Sequence, residues 1–547
     1  MKHRLLSLLF SLGAIVLQAQ PSIQWQKSLG GTSDDICTQA KQTPEGGYIV
    51  TGLSTSNDGD VTGHHGGITM NDIWVVKTDS AGNIEWEKSI GGSNDDQGTG
   101  IFITAGGKYI VTGNVSSDDG DITDHRGPAG TSDIWVAKLD TDGTLLWSHS
   151  YGGSKNDYAW SPHFSTGGGI LFSGGTESND SDVTGHHVGI GPSDTDMWVM
   201  EIDSNGSLLW QKCLGGSMKE YGSGMQQAGN GYLAWGEVQG TTDGDVTNNT
   251  DTFAGTWWFG SIWLVMLDSA HNIVWDRLYG GNGRDEPFDI IPVTSGGWMM
   301  TALTESTDSN IIGQHPPGVG DCWLVRLDAS GNEMWNQCYG GTGWDIPHTV
   351  DAIPGGYIVA ALSPSDDYDI TDHRDTTFSF DAWQFATDTS GHLVWARSYG
   401  GSYDDQCLDE EITADGGALL PCFAASSNFD VTGHHGTNLT HDYWLVKTSP
   451  LPSGFNDPEN PVLSPAIYPN PALTHATFSF WLKSTSDISM HVFDMEGREC
   501  ADPESFRLEA GIQQLKIPVA SLRAGMYVVQ VRTGTFSAER RLCIIHQ

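Results

Sequence analysis

Between residues 23 and 448 the chain alternates short apolar runs with turn-forming residues, and two kinds of run recur in a fixed order. One is mostly apolar around a tryptophan, as in Asp72-Ile-Trp-Val-Val-Lys-Thr-Asp79. The other mixes apolar and charged residues around a second tryptophan and ends in a glycine pair, as in Ile84-Glu-Trp-Glu-Lys-Ser-Ile-Gly-Gly92. The first series places Trp74, Trp135, Trp198, Trp263, Trp323, Trp383 and Trp444. The second places Trp25, Trp86, Trp147, Trp210, Trp275, Trp335 and Trp395. The unit is roughly 60 residues long, and a fixed period is the signature of a repeat architecture. Each unit predicts four short strands, in the first copy Asp34–Gln42, Gly47–Ser54, Asp72–Asp79 and Ile84–Ile90. No window shows a sustained helical period, which excludes a helical solenoid.

The two ends of the repeat region complete one another. The chain opens with a run of the second kind, Ile23 to Gly31, and the repeats close with a run of the first kind, Asp442 to Thr448. Joining the two makes a seventh unit and removes the exposed sheet edges that an open array would leave. The expected fold is all-β: a seven-bladed β-propeller of four-stranded blades closed by the N-terminal strand. Ahead of it, the basic Met1–Arg4 and apolar Leu5–Leu17 read as a signal peptide over 1–19, too short to span a bilayer comfortably. The propeller is expected over 20–450, with no membrane span in the mature chain.

Residues 451–465 carry Pro452, Pro458, Pro461 and Pro465 and predict a stiff linker. Beyond it, 466–547 alternates apolar and polar residues in short runs, the pattern of a small Ig-like β-sandwich. This segment opens on Tyr468, Pro469, Asn470 and Pro471, continues through Phe493 to Arg498 with Gly497, then Gly511, then Leu522 to Tyr527 with Gly525, and ends on Arg540 to Ile545. It resembles the type A C-terminal sorting domain of type IX secretion cargo from Bacteroidota. The resemblance implies export through the periplasm by the type IX machinery, removal of the domain by its sortase, and a secreted or cell-surface product. The repeats, with loops such as Gly59-Asp-Val-Thr-Gly-His-His-Gly66, are similar to those of uncharacterised propellers on such cargo.

The whole chain has 26 Lys and Arg against 68 Asp and Glu, and the excess acid belongs to the propeller, because the tail is close to balanced. Nucleic acid is excluded as a partner, since binding it requires clustered basic residues. Divalent cations and neutral or cationic ligands remain open.

Seven copies act as an internal alignment for the acidic positions. Four residues after each glycine pair stand Asp35, Asp96, Asp157, Glu220, Asp285, Asp345 and Asp405. They enter the innermost strand of each blade, so a ring at one mouth of the channel is expected. Two compatible roles follow: caps on backbone amides, or a cation site on the axis with calcium as the candidate ion. In the loop between the second and third strands, Asp and His fall four apart, as in Asp60/His64, Asp121/His125, Asp182/His186, Asp369/His373 and Asp430/His434. Asp245/Asn249 and Asn310/Gln314 replace the histidine in two copies, which favours a shared turn over a metal site.

Aromatic residues outside the repeat markers are candidate contacts for a ligand. Phe253, Trp257 and Trp258 crowd the fourth-blade loop, and Trp160 and Trp344 lie beside glycine-pair turns. Flat aromatic faces next to carboxylates suit a sugar or peptide. Two cysteine pairs, Cys322/Cys338 and Cys407/Cys422, flank turns symmetrically and are disulfide candidates, whereas Cys37 and Cys213 have no such partner. No G-x-S-x-G, H-E-x-x-H or phosphate-binding glycine loop is present. The sequence therefore points to an exported binding module with a glycan as first candidate ligand. A polysaccharide-cleaving propeller and a purely structural surface protein are the alternatives.

Overall fold

A computed structural model describes residues 20–544 apart from 248–259, 452–461, 469–475 and shorter stretches elsewhere. The expected signal peptide, the Phe253/Trp257/Trp258 loop, Pro469–Pro471 and Gly497 lie outside the described residues. The described chain forms strands β1 to β36, numbered in chain order, and contains no α-helix.

The first blade shows the plan. Strands β2 (Asp35–Gln42), β3 (Tyr48–Ser54), β4 (Asp72–Thr78) and β5 (Ile84–Ile90) pair in that order, antiparallel throughout. Five further four-stranded sheets repeat the order. The seventh is completed from the N-terminus. Strand β1 (Ile23–Leu29) pairs antiparallel with β29 (Asp442–Thr448), from Ile23 opposite Thr448 to Leu29 opposite Tyr443. This is the seven-bladed propeller expected from the repeats.

Burial follows the repeat. β4 is buried along its whole length, as are the corresponding strands β12 (Asp196–Ile202), β20 (Asp321–Leu327) and β29. Their tryptophans fill the space between neighbouring blades: Trp74 packs with Tyr443, Leu445 and Leu419 across the closure, so blade seven and blade one share one core. Burying such an aromatic contributes about 3 kcal/mol or more, which is why the marker recurs.

The innermost strands are β2, β6 (Asp96–Ile103), β10 (Asp157–Phe164), β14 (Lys219–Ala228), β18 (Asp285–Pro292) and β22 (Ile346–Ile353). Each carries a register shift near its middle, for example between Cys37 and Gln39 and between Pro347 and Thr349. In blade seven the shift widens to a break. β26 (Asp405–Cys407) ends, Leu408–Glu410 leave the ladder, and β27 (Glu411–Ile412) resumes it.

Register also decides the cysteines. Cys407 lies directly opposite Cys422, with Cα atoms 4.0 Å apart, and the two form a disulfide. Cys322 and Cys338 do not, and this expectation is corrected. Cys322 faces Tyr339 while Cys338 faces Trp323, a one-residue offset that sends the two thiols to opposite faces of the sheet. Both are free and buried, Cys322 in the core towards blade six and Cys338 in the core towards blade four.

The tail forms two sheets, β30 (Val462–Tyr468) with β31 (Ala476–Leu482) and β34 (Gly511–Ile517), and β33 (Glu504–Leu508), β32 (Ser486–Asp494), β35 (Gly525–Thr533) and β36 (Phe536–Ile544). Phe478, Val492, Leu515 and Val529 fill the core between them, as in a sandwich. Tyr468 ends β30 and Gly525 begins β35.

Candidate functional site

The seven acidic positions are buried in the junctions between blades. Asp35 has no solvent exposure; its carboxylate accepts the Gly31 amide at 2.7 Å, the Ser56 hydroxyl at 2.9 Å and the Ser54 hydroxyl. Asp157 does the same with Gly153 at 2.6 Å, Ser178 at 2.8 Å and Thr176. Burial drives these acids upward, Asp35 and Asp345 to about 7 and Asp96 and Asp405 to about 6, against the hydrogen bonds that favour the charged form. The series thus forms seven separate caps rather than an open ring: none of the seven carboxylates reaches solvent, so none is presented to an ion on the axis.

A second recurring carboxylate completes each junction, and sequence reasoning missed it. Asp72, Asp133, Asp196, Asp321, Asp381 and Asp442 begin the third strand of their blades and are fully buried. Asp72 accepts both the backbone amide and the ring Nδ1 of His65, at 2.7 and 2.9 Å. The other ring nitrogen of His65 lies 3.9 Å from Asp121 of the next blade, and His435 bridges in the same way to Asp60 at 4.0 Å. The Asp/His loop is therefore a clasp between blades. Asp60 caps the Gly30 amide at 3.3 Å, and His64 turns towards the Gly67 carbonyl at 3.4 Å rather than towards Asp60. The signal was present, since an aspartate precedes six of the seven marker tryptophans by two positions.

The open site lies on the axis. The shifted residues of the inner strands are Thr38, Thr99, Ser161 with Pro162, Ser223, Phe288 and His348. Together with Leu408–Glu410 they line one cavity of about 630 Å³. A bulge re-aims the side chains around it, and bulges gather beside functional sites. Six bulges and the break in blade seven line the centre of the propeller with side chains. Ser161 sits at φ +43°, a left-handed conformation that is costly for a residue other than glycine. Next to it the Trp160 ring is 48% exposed and Phe164 is 39% exposed, and both line this cavity.

The cavity is acidic. Lys41 pairs with Glu411 at 2.8 Å and lies 3.9 Å from Asp409. Burial works against the Lys41 charge, and the attraction of Asp409 and Glu411 outweighs it, so its pKa is raised. Burial also raises Asp409 to about 7, and Asp289 and Asp351 to about 6. Glu410 is driven well above its usual range by burial and by Asp351; its Oε1 accepts the Gln384 amide at 3.1 Å. His163 and His348 are pushed down to about 4 by burial and stay neutral. Glu410 Oε2, His348 Nε2 and Thr349 Oγ1 have no protein partner. Chemically, the cavity offers an aromatic face, neutral imidazoles and carboxyl groups whose pKa values are raised by burial.

Of the sequence candidates, Trp160 lines this cavity. Trp344 is 39% exposed beside the Gly340–Gly341 turn and does not line it. Lys41, Asp289, Asp351, Asp409 and Glu410 were not singled out, because none of the repeat positions they occupy is acidic in more than two copies, which leaves no periodic signal. The one visible cue was the acidic triplet Asp409-Glu410-Glu411, where blade seven departs from the pattern.

Residues 466–545 match the family described as the secretion system C-terminal sorting domain. The match covers the tail and supports export of the chain by type IX secretion. The chain is exported to the cell surface or beyond, and among the described residues no helix is long and apolar enough to cross a membrane. A stretch of 33% of the chain is 27% identical to the regulatory protein FlaEY of Caulobacter vibrioides, over 193 residues that span only 20% of that protein. Among solved structures, hydrazine synthase of Kuenenia stuttgartiensis covers 72% of this chain and 94% of its own, with a TM-score of 0.42 and 10% identity. The Pan2 WD40 domain of Neurospora crassa covers 77% and 95%, with a TM-score of 0.37 and 10% identity. A fungal alcohol oxidase of the AA5 family covers 96% and 100%, with a TM-score of 0.41 and 9% identity. The propeller assignment rests on the strand pairing described above.

Proposed function

We propose that this exported propeller is a binding module whose ligand enters the axial cavity, and that the ligand is a polyhydroxylated molecule, a glycan in the first instance. The observation that carries the reading is the exposed Trp160 face, held by the strained Ser161, beside carboxyl groups and neutral imidazoles in a single cavity. An aromatic face stacks on the apolar side of a sugar ring, and neutral donors and acceptors around it match hydroxyl groups. The acidic lining would repel an anionic polymer and admit a neutral or cationic one. The sorting domain puts such a site outside the cell, where the machinery's sortase would remove the tail.

One observation favours a second reading. Asp409, Asp351 and Asp289, raised to 6–7, are suited to general-acid chemistry at neutral pH, as a polysaccharide hydrolase or lyase requires. Phe253, Trp257 and Trp258 of the fourth-blade loop are retained as a rival contact platform. A glycan array probed with the mature chain, with Trp160→Ala and with the Trp257→Ala/Trp258→Ala pair tests the site. Loss of binding in Trp160→Ala alone supports the cavity, and loss in the loop pair alone moves the site to the loop. Product formation on incubation with the bound glycan, abolished by Asp409→Asn, would select the enzyme.

A further inference from the structure

The junction between blades three and four departs from the plan of the others. In blades two, six and seven the first loop histidine hydrogen-bonds through Nε2 to a backbone carbonyl two residues before the third-strand aspartate. These are His125 with Thr131 at 2.9 Å, His373 with Ser379 at 3.1 Å and His434 with Thr440 at 2.9 Å. The corresponding histidine of blade three is His186, and the residue two before Asp196 is Asp194. His186 Nε2 has no protein partner, although its side chain is only 7% exposed.

Two more orphaned atoms converge on it. Asp196 is fully buried; its Oδ2 accepts the His187 amide at 2.9 Å and the His187 ring at 2.7 Å, while its Oδ1 lies 4.0 Å from His186 Nε2 without a partner. Asp194 Oδ2 accepts the Gly189 amide, and its Oδ1 is buried and unpartnered. Ligand atoms of His186, Asp194 and Asp196 all lie within 4.8 Å of one another. An unpaired Oδ1 recurs at Asp72, Asp133, Asp321 and Asp442. Blade one also leaves an imidazole nitrogen orphaned, His64 Nδ1, but has Met70 where blade three has Asp194; what blade three adds, among the described residues, is the extra carboxylate beside the orphaned nitrogen.

The facing side of the junction departs too. Glu220 is the one glutamate of its series, and it stands opposite Val238, where Asp35 has Ser54 and Asp157 has Thr176. Its Oε2 takes the Gly216 amide at 3.0 Å, and its Oε1 has no partner. Glu220 and Asp196 crowd the same glycine: a Cβ on Gly215 would lie 2.5 Å from Glu220 Oε2 and 3.1 Å from Asp196 Oδ1. Three acidic groups thus meet in a buried junction where, among the described residues, no lysine or arginine pairs with them and, His186 aside, only the His187 ring does so, at Asp196.

We propose that His186, Asp194 and Asp196 of blade three bind a divalent first-row ion of the zinc or manganese kind at the junction with blade four. An imidazole and two carboxylates are the donor set such ions favour, whereas calcium prefers oxygen ligands throughout. The ion would neutralise the paired carboxylates and engage all three orphaned atoms. Glu220 would supply further negative charge from the neighbouring blade.

The test uses the full-length, tag-free chain stripped of metal and titrated with Co²⁺, Zn²⁺ and Ca²⁺, read by calorimetry, visible absorption and melting temperature. The expected result is one Zn²⁺ site, a Co²⁺ absorption band from nitrogen and oxygen ligation, a raised melting temperature, and binding of Ca²⁺ at least tenfold weaker. Asp194→Asn should weaken Zn²⁺ binding at least tenfold, and His186→Gln should do the same if the first variant fails to fold. His434→Gln in blade seven should keep the site. Absence of a stoichiometric site, or equal affinity in Asp194→Asn and His186→Gln, overturns the proposal.

Discussion

Replacing Asp157 should show what one junction cap contributes. Its carboxylate holds three donors in a fully buried place: the Gly153 amide, the Ser178 hydroxyl and the Thr176 hydroxyl. In Asp157→Ala all three lose their acceptor. The two hydroxyls can rotate towards other acceptors, and each then costs on the order of 0.5–1 kcal/mol. The Gly153 amide is fixed by the backbone, so it stays orphaned at a cost of roughly 1–3 kcal/mol. Relief of the repulsion from Asp180, which raises the Asp157 pKa along with burial, returns part of this. The net loss should be about 3 kcal/mol. Asp157→Asn keeps the shape and one acceptor oxygen but can set an NH₂ against the Gly153 amide, so it should lose less, about 1–2 kcal/mol. Urea midpoints with unchanged slope measure both. A loss under about 0.5 kcal/mol in the alanine variant would refute the capping role.

Four carboxyl groups raised to about 7 or 8 by burial, Asp35, Glu220, Asp345 and Asp409, make stability depend on pH. A group raised on folding stabilises fully below its unfolded pKa and loses that contribution as pH climbs through the folded value, so the melting temperature should rise from pH 8 to pH 6. Below that, His163 and His348, held neutral down to about 4, oppose the trend; a melting temperature that falls steadily from pH 8 to 6 contradicts the burial of these acids. The Cys407–Cys422 bridge spans a separation of 15 residues, and converting both to alanine should cost about 3 kcal/mol; no loss of stability on reduction of the wild type would argue against it. Deleting residues 21–30 removes β1 and bares the β29 edge, and should cost on the order of 5 kcal/mol of ladder bonds; an unchanged melting curve would refute closure.

The fold was legible because seven copies vote on every position. The tryptophan series fixed the blade count, and the leftover runs at the two ends fixed the closure between Ile23–Leu29 and Asp442–Thr448. What the copies do not share was hidden. A turn with equal arms suggested that Cys322 faces Cys338, but a register shift between Arg326 and Leu327 offsets them by one residue. Turn length alone does not reveal such a shift. The bulges carry a hydroxyl residue in four copies, Thr38, Thr99, Ser161 and Ser223, but Phe288 and His348 in two others, and Ser and Thr are too common along the strands to stand out, so the cavity that they shape left no motif. Asp72 and its equivalents were in plain view as part of the strand marker, and their second role needed the folded loop to bring His65 back onto them. Trp160 was found through its place beside a glycine-pair turn, whereas its exposure follows from the bulge at Ser161 and Pro162.

The central claim is that the ligand occupies the axial cavity. The most direct measurement is a binding isotherm for a glycan selected on the array, compared between wild type and two folded variants, Trp160→Ala and Glu410→Gln. If the cavity is the site, Trp160→Ala should lose roughly 1–3 kcal/mol of binding, as a stacked aromatic contact does, and Glu410→Gln should lose affinity without loss of melting temperature. Affinity equal to wild type in both variants would place the ligand elsewhere and contradict the account.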